Sequence, residues 1–247
     1  MKPWYEDDAF WETWAPYMFG KERWENAPAE VTNLISLLKI GPGAVVLDLC
    51  CGPGRHALEF ARRGFSVVGV DRTKIYLDKA RKQAEIEGLK VEFIQEDMRS
   101  YCKPGAFDAV TNLFTSFGFF EDQKEDELVL KNVYRSLKAG GIFILDTIGK
   151  EVVARIFHER DWTEEENGAI FLEERKVTKD WSWMENRWIL LKGDKREEFH
   201  FSLRPYSAVE LTTILKAVGF SSITIYGDLA SSPYDHKAKR LVAVALK

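Results

Sequence analysis

Three acidic residues and two glycines carry the chemistry most open to reading in this chain. Between Val45 and Arg63 the sequence VVLDLCCGPGRHALEFARR sets Asp48 near the end of an apolar run. A turn with Gly52 and Gly54 follows, and then a helical pattern. Glycines let a backbone approach a ligand closely, and a helix start offers unpaired N–H groups and a positive dipole end. Gly52, Gly54 and Ala57 satisfy the dinucleotide spacing G-x-G-x-x-G/A, so the loop alone leaves two cofactor classes open. Asp48 separates them: a carboxylate beside this turn repels a pyrophosphate but suits an ammonium and a sulfonium. Arg55 suits a phosphate or, equally, a carboxylate. Asp71 ends the next apolar run, placed to accept from both ribose hydroxyls through charge-assisted bonds of roughly 1.5 to 3 kcal/mol each. Glu96-Asp97-Met98 ends a third run, where a carboxylate can accept from an adenine amino group and the following N–H can meet a ring nitrogen. Both cofactor classes want the acid at Asp71, but the charge at Asp48 favours the methyl donor S-adenosylmethionine, and a dehydrogenase has no particular need for the third acid.

These residues need a scaffold that brings strand ends together. Val31, Leu34, Ile35 and Leu38 recur at helical spacing within 27–39, and Gly41-Pro42-Gly43 stops the pattern. Apolar runs at 44–49, 65–70, 91–94, 109–113 and 141–146 predict strands, with helices expected at 55–63, at 78–87 closed by Gly88, and after Asp122. Asp122 and Glu125 have capping-box spacing. Alternation of this kind predicts a parallel sheet covered on both faces. From 169 to 204 the period changes to apolar-polar alternation broken at Lys179-Asp180 and Gly193-Asp194, which predicts three antiparallel strands forming a flap rooted on the main sheet. A helix at 208–218 and strands at 222–226 and 241–246 complete the chain.

The segments VLDLCCGPG, GVDR, QEDM, FDAVTNLFTSFGFF and LKAGGIFILDT stand in the order and spacing of class I S-adenosylmethionine-dependent methyltransferases, which this chain resembles over roughly 30–147 and the C-terminal strands. The resemblance implies an α/β, Rossmann-like methyltransferase fold: a mostly parallel sheet with an antiparallel C-terminal strand and a small inserted antiparallel β flap. It implies one methyltransferase domain over 1–247, with an N-terminal lid at 1–26 and an inserted β segment at 150–204. By position, Asp48, Gly52 and Gly54 frame the methionine part, Asp71 holds the ribose, Asp97 and Met98 flank adenine, and Asn112 with Leu113 lies beside the sulfonium; Cys50, Arg55 and Arg72 complete the expected cofactor-binding set. Cys50 stands where the family has glycine, and its thiol narrows the loop. The inserted strands and LRPYSAVELTTILKAVGF resemble the branch that methylates amino sugars and other small metabolites. Asn112-Leu113-Phe114-Thr115 is not the N-P-P-Y or D-P-P-Y of enzymes that methylate base or glutamine amino groups.

The acceptor side is read from scattered residues. Phe10, Trp11 and Trp14 share a helical face, expected either to pack in the core or, as the resemblance suggests, to form a lid with Tyr17 and Trp24 nearest the site. Trp181 and Trp183 are expected on one face of an inserted strand, packed on the body or on a second subunit in a homodimer. His200 and Arg204 fall at i and i+4 of the last inserted strand, with Tyr206 in phase if the strand continues. They form a candidate substrate-binding trio, with His200, Tyr206 or Tyr17 as candidate general base. The four histidines match no metal site.

Composition narrows the rest. The 247 residues carry 35 basic and 39 acidic side chains, a net charge of -4, with a pI near 5.7. That balance argues against nucleic acid and anionic membranes. Neither a secretory h-region nor a membrane-spanning stretch is found, and three cysteines without paired spacing fit a reducing compartment, so a cytoplasmic location is expected. The glutamates at 164–166 and the charged residues 195–198 read as solvated turns. The expected activity is methyl transfer to N or O of a small molecule. Its rivals are an RNA methyltransferase, a non-catalytic S-adenosylmethionine-binding protein and an NAD-dependent dehydrogenase.

Overall fold

A computed structural model describes residues 2–165 and 167–247; Glu166, in the acidic run read as a turn, lies outside them. The chain opens with a 3₁₀ turn at Trp4–Glu6 and helices α1 (Asp8–Met18) and α2 (Lys21–Leu38). Then come β1 (Val45–Leu49), α3 (Arg55–Arg62), β2 (Ser66–Asp71), α4 (Lys74–Glu87), β3 (Val91–Gln95), β4 (Phe107–Asn112), α5 (Gln123–Ser136) and β5 (Leu137–Thr147). The inserted part is α6 (Lys150–Ile156), β6 (Arg160–Glu164), β7 (Ile170–Thr178), β8 (Trp183–Lys192) and β9 (Lys195–Leu203). Helix α7 (Ala208–Val218) leads back to β10 (Ser222–Tyr226) and β11 (Leu241–Leu246).

Seven strands form one sheet in the order β3-β2-β1-β4-β5-β11-β10. Strands β1 to β5 run parallel, and β11 is antiparallel to both β5 and β10. Strands buried on both faces need no polar alternation, which is why VVLDL reads as a continuous apolar run. On one face, Leu47, Val110 and Phe143 pack against Val129, Leu130 and Val133 of α5 and Leu211 and Leu215 of α7. On the other, Val46, Ala109 and Ile144 meet Val31 and Leu34 of α2, Leu58 of α3 and Leu77 of α4. Strand order reverses between β1 and β4, and a crevice opens beyond the carboxyl ends of such a pair. Register sets Asp48 beside Gly69 and Thr111, and Leu49 beside Val70 and Asn112.

The inserted part departs from the expected flap in two ways. It has four strands, β6-β7-β8-β9, and they form a sheet of their own rather than a root on the main one. The unforeseen β6 is exposed along its whole length, so it carries no buried alternation to read. The inner face of this sheet packs on α1: Phe10 and Trp14 are buried against Phe171, Leu190 and Phe201. Trp181 and Trp183 do not share a strand face. Lys179, Asp180 and Trp181 all have positive φ in the turn, and β8 starts only at Trp183. Trp181 stacks edge-on to Phe157, and Trp183 lies under Lys179 and Arg204. No helix among the described residues is long and apolar enough to cross a membrane.

Candidate active site

A cavity of about 590 Å³ lies in the crevice, bounded by the ends of β1, β2 and β4, the residues after β3, the N-terminal segment and the inner face of the second sheet. Asp48 is buried at its floor, with Oδ1 accepting the Thr111 hydroxyl at 3.0 Å and Oδ2 left without a partner. Burial pushes its carboxyl above the ordinary value, against the pull of His56, Thr111, Arg55 and the Ala57 backbone N–H. The positive start of α3 is therefore turned on the chain's own carboxylate. A pyrophosphate brought there would meet Asp48, as the sequence argument required, whereas a bound cation would relieve it.

The turn between Asp48 and α3 is left-handed at three positions: Cys50 at φ 62°, Gly52 at 55° and Gly54 at 84°. A Cβ on Gly54 would stand 2.9 Å from the Ala80 Cβ and 3.2 Å from the Phe93 ring, so that position needs glycine for its backbone and for packing. The Cys50 thiol rests 3.5 Å from the Met98 sulfur. Asp71 ties the turn to β2: Gly52 N–H donates to Oδ2 and Thr73 N–H to Oδ1, both at 2.8 Å. Each oxygen keeps a lone pair for a ribose hydroxyl. Asp97 is engaged more fully, accepting the Arg99 backbone N–H and its guanidinium, and this grip outweighs burial to hold its carboxyl low. Asn112 donates to the Leu49 carbonyl at 3.3 Å and leaves its buried Oδ1 free. Leu113 lines the cavity, whereas Asn112, expected beside the sulfonium, is not among its lining residues.

The cavity's donor end thus offers one buried unpartnered acceptor, Asp48 Oδ2, and a carboxylate in Asp71 with lone pairs to spare. These suit the ammonium and the ribose of S-adenosylmethionine, and the residues present fit that group. A family model described as a methyltransferase domain matches residues 46–141, the span that holds all of these strand ends. The chain belongs to the class I S-adenosylmethionine-dependent methyltransferases. YqeM of Bacillus subtilis (strain 168), which carries a methyltransferase name, is 26% identical over 210 residues, 82% of this chain and 83% of that protein. A glycine/sarcosine N-methyltransferase of Parasynechococcus marenigrum (strain WH8102) is 27% identical over 220 residues, 84% of this chain and 76% of its own. The solved structure of CalS10 with S-adenosylmethionine bound, an amino pentose methyltransferase from Micromonospora echinaspora, has the same fold. Its TM-score is 0.65 over 96% of both chains at 24% identity. S-adenosylmethionine is the methyl donor of this enzyme.

Not every residue expected in the methyltransferase site faces it. Arg72 lines the cavity, but its guanidinium is engaged by the N-terminal segment, donating to the Glu6 carbonyl and pairing with Asp8 at 3.1 Å. Trp24 lines a separate cavity of about 420 Å³ beside Pro16 and Tyr76. Tyr17 does line the main cavity, edge-on to Phe171 with ring centroids 4.4 Å apart. His200, Arg204 and Tyr206 do not form a trio there. Strand alternation turns Phe201 and Leu203 inward, so His200 points out, exposed, to Glu198 at 3.1 Å. The strand stops at Leu203 before Pro205, which removes Tyr206 from phase. Tyr206 is instead buried, donating to Asp126 Oδ2 at 2.8 Å, with Arg204 at 3.8 Å from the same oxygen.

The second sheet supplies polar groups that the sequence reading passed over. Inward-facing Thr163, Glu173, Arg175 and Asn186 line the cavity among Phe171, Met184 and Trp188. Glu173 and Arg175 pair with each other, and Asn186 lies directly across from Arg175. Their i, i+2 spacing on β7 was the available signal, hidden within an apparently solvated charged stretch, EERK. Arg99, Arg240 and Glu30 were also missed, since each acts on a partner at least 26 residues away in sequence: Glu125, Asp146 and His56.

Proposed function

We propose that this methyltransferase acts on a nitrogen or oxygen atom of a small organic acceptor held between the donor end and the inner face of the second sheet. The observation that carries this reading is the continuity of the cavity, which has Asp48, Asp71 and Met98 on one side and Phe171, Glu173, Arg175 and Trp188 on the other. Its volume, about 590 Å³, is in the range of metabolite sites. The acceptor wall is mainly apolar, with one ion pair and Asn186 to fix orientation. Trp4, Trp11 and Phe19 close the cavity from outside, and the N-terminal segment serves as a lid that excludes water.

The bound donor supplies a sulfonium methyl that an acceptor lone pair displaces in line. The chain's part is to hold that lone pair about 3 to 3.5 Å from the methyl carbon in a dry site. An amine acceptor needs only its neutral form, whereas a hydroxyl needs a base within reach. The cavity's one imidazole among the described residues, His56, is bound to Glu30 at 2.7 Å. That favours an amine, with Glu173 placed to accept one of its N–H bonds and Tyr17 as the neighbouring phenol. The names of two similar proteins, the glycine/sarcosine N-methyltransferase and the amino pentose methyltransferase, point to the same class of acceptor.

Incubation with methyl-labelled S-adenosylmethionine and a fractionated metabolite extract tests the reading. Label is expected in a low-mass amine or alcohol. Label confined to RNA or protein would overturn the proposal.

A further inference from the structure

Strand β6 forms one border of the second sheet and pairs only with β7 among the described residues. All five of its residues, Arg160, Asp161, Trp162, Thr163 and Glu164, are exposed. Alternation divides them: Thr163 lines the cavity, so Asp161 shares its inner face, and Arg160, Trp162 and Glu164 share the outer one. The backbone alternates as well. The Glu159 carbonyl accepts from Arg175 N–H and Glu165 N–H donates to the Ala169 carbonyl, both at 2.8 Å, so the odd-numbered residues turn their polar groups to β7. Arg160, Trp162 and Glu164 turn theirs to the open border, where the Trp162 N–H is taken up by the neighbouring Asp161 Oδ1 at 2.9 Å. The Trp162 side chain is 62% exposed, an indole standing beside a row of backbone groups without a strand to meet.

Charges on a sheet border ordinarily keep it single. On β6 their order suits one partner, a second copy of the same strand. An antiparallel copy centred on Trp162 sets Arg160 against Glu164 of the partner subunit, twice by symmetry, and Trp162 against Trp162 of the partner subunit at the axis. All three residues point their backbone groups outward, so these are the hydrogen-bonded positions of the new pair. The neighbouring registers of the same parity fail, because centring on Arg160 or on Glu164 brings like charges together. We propose that two copies of this chain join at β6 in this register, so that their two four-stranded sheets become one of eight strands across a two-fold axis. On the inner side of the join, Asp161 of the partner subunit faces Thr163, and each copy adds a carboxylate to the rim of the other's cavity.

Sedimentation equilibrium of the full chain over a range of concentrations tests the join. A pair of five-residue strands stands at the small end of specific interfaces, so the dimer is expected to form between about 10 and about 100 μM. Arg160→Glu and Glu164→Arg, each made alone at an exposed position, set like charges opposite one another and are expected to weaken the dimer by about tenfold or more. Mixed with each other, the two variants regain opposite charges at both contacts, and association close to wild-type strength is expected. A wild-type chain still monomeric at about 500 μM would overturn the proposal, since even small specific interfaces associate below that. A dimer indifferent to both substitutions, or a mixture that associates no better than either variant alone, would overturn it too. The wild-type measurement needs no variant to fold, and none of these outcomes depends on which acceptor is methylated.

Discussion

The Asp71 carboxylate accepts the Gly52 backbone N–H at 2.8 Å, so the residue expected to hold the ribose also fixes the glycine turn on the neighbouring strand end. Removing this side chain strikes the donor site twice. Asp71→Ala is expected to weaken S-adenosylhomocysteine binding by about tenfold or more, since charge-assisted bonds are worth roughly 1.5 to 3 kcal/mol each. The cooperative unfolding transition should survive. Unchanged affinity by calorimetry would mean that the ribose lies elsewhere.

Cys50 sits at φ 62° in a turn where every other left-handed residue is glycine. Alanine there keeps the backbone strain and loses the sulfur contact with Met98, while glycine removes the strain, worth roughly 1 to 2 kcal/mol. Cys50→Gly is therefore expected to unfold at higher denaturant than Cys50→Ala, by about 1 kcal/mol. In an ordinary helical position the order would be reversed.

Asp126 is fully buried, and burial raises its carboxyl to about 7, since Tyr206 donates one bond and Arg204 stays 3.8 Å away. A raised pKa favours the protonated native form. The stabilisation is complete below the ordinary value of 3.8 and fades as pH climbs through 7. Asp126→Asn mimics the neutral form at every pH. Its stability relative to wild type should rise between pH 4 and 8 by roughly 2 to 4 kcal/mol, read from denaturant curves at each pH. A flat difference would place the charge elsewhere.

Glu173 and Arg175 face the cavity from β7 and touch none of the donor residues in Asp48, Asp71 or Asp97. Glu173→Gln is expected to raise the acceptor KM by about tenfold while S-adenosylhomocysteine affinity stays within about twofold. Steady-state kinetics with the labelled acceptor, beside calorimetry, separates the two.

Trp14 is 1% exposed and packs on Phe171 and Trp188 of the second sheet. Trp14→Ala should cost about 3 to 5 kcal/mol in that cluster. Limited proteolysis is then expected to cut within 2–19 first, leaving the main sheet protected. Uniform cleavage would show that this segment and the main sheet open together.

What could be read from sequence was what local chemistry decides. Parallel strands buried on both faces announce themselves as apolar runs, and β1 begins within one residue of its expected start. Glycine marks ends well: Gly88 closes α4 as expected, and it does so in the left-handed conformation. Helix starts were less legible. Helix α2 begins at Lys21 because its first turns are charged and lack a stripe, with Pro28 lying inside it. The capping box assigned to Asp122 and Glu125 is only half made: Asp122 caps Lys124 N–H, while Glu125 reaches across to Arg99. The reciprocal box is at Ser207 and Glu210.

The acceptor wall was hidden because its residues become neighbours only when β7 and β8 pair. His200 and Arg204 were chosen on correct strand periodicity but the wrong parity, and a two-residue period cannot say which face turns inward. The core reading of the α1 aromatic face holds for Phe10 and Trp14. Phe10 and Trp14 pack in a core with the second sheet while Trp4, Trp11 and Tyr17 line the cavity.

Isothermal titration of the purified chain with S-adenosylhomocysteine tests the central claim most directly. One-to-one binding is predicted, abolished or strongly weakened by Asp71→Ala and indifferent to NAD. Heats of dilution alone at millimolar ligand, or saturable binding of NAD in its place, would contradict it.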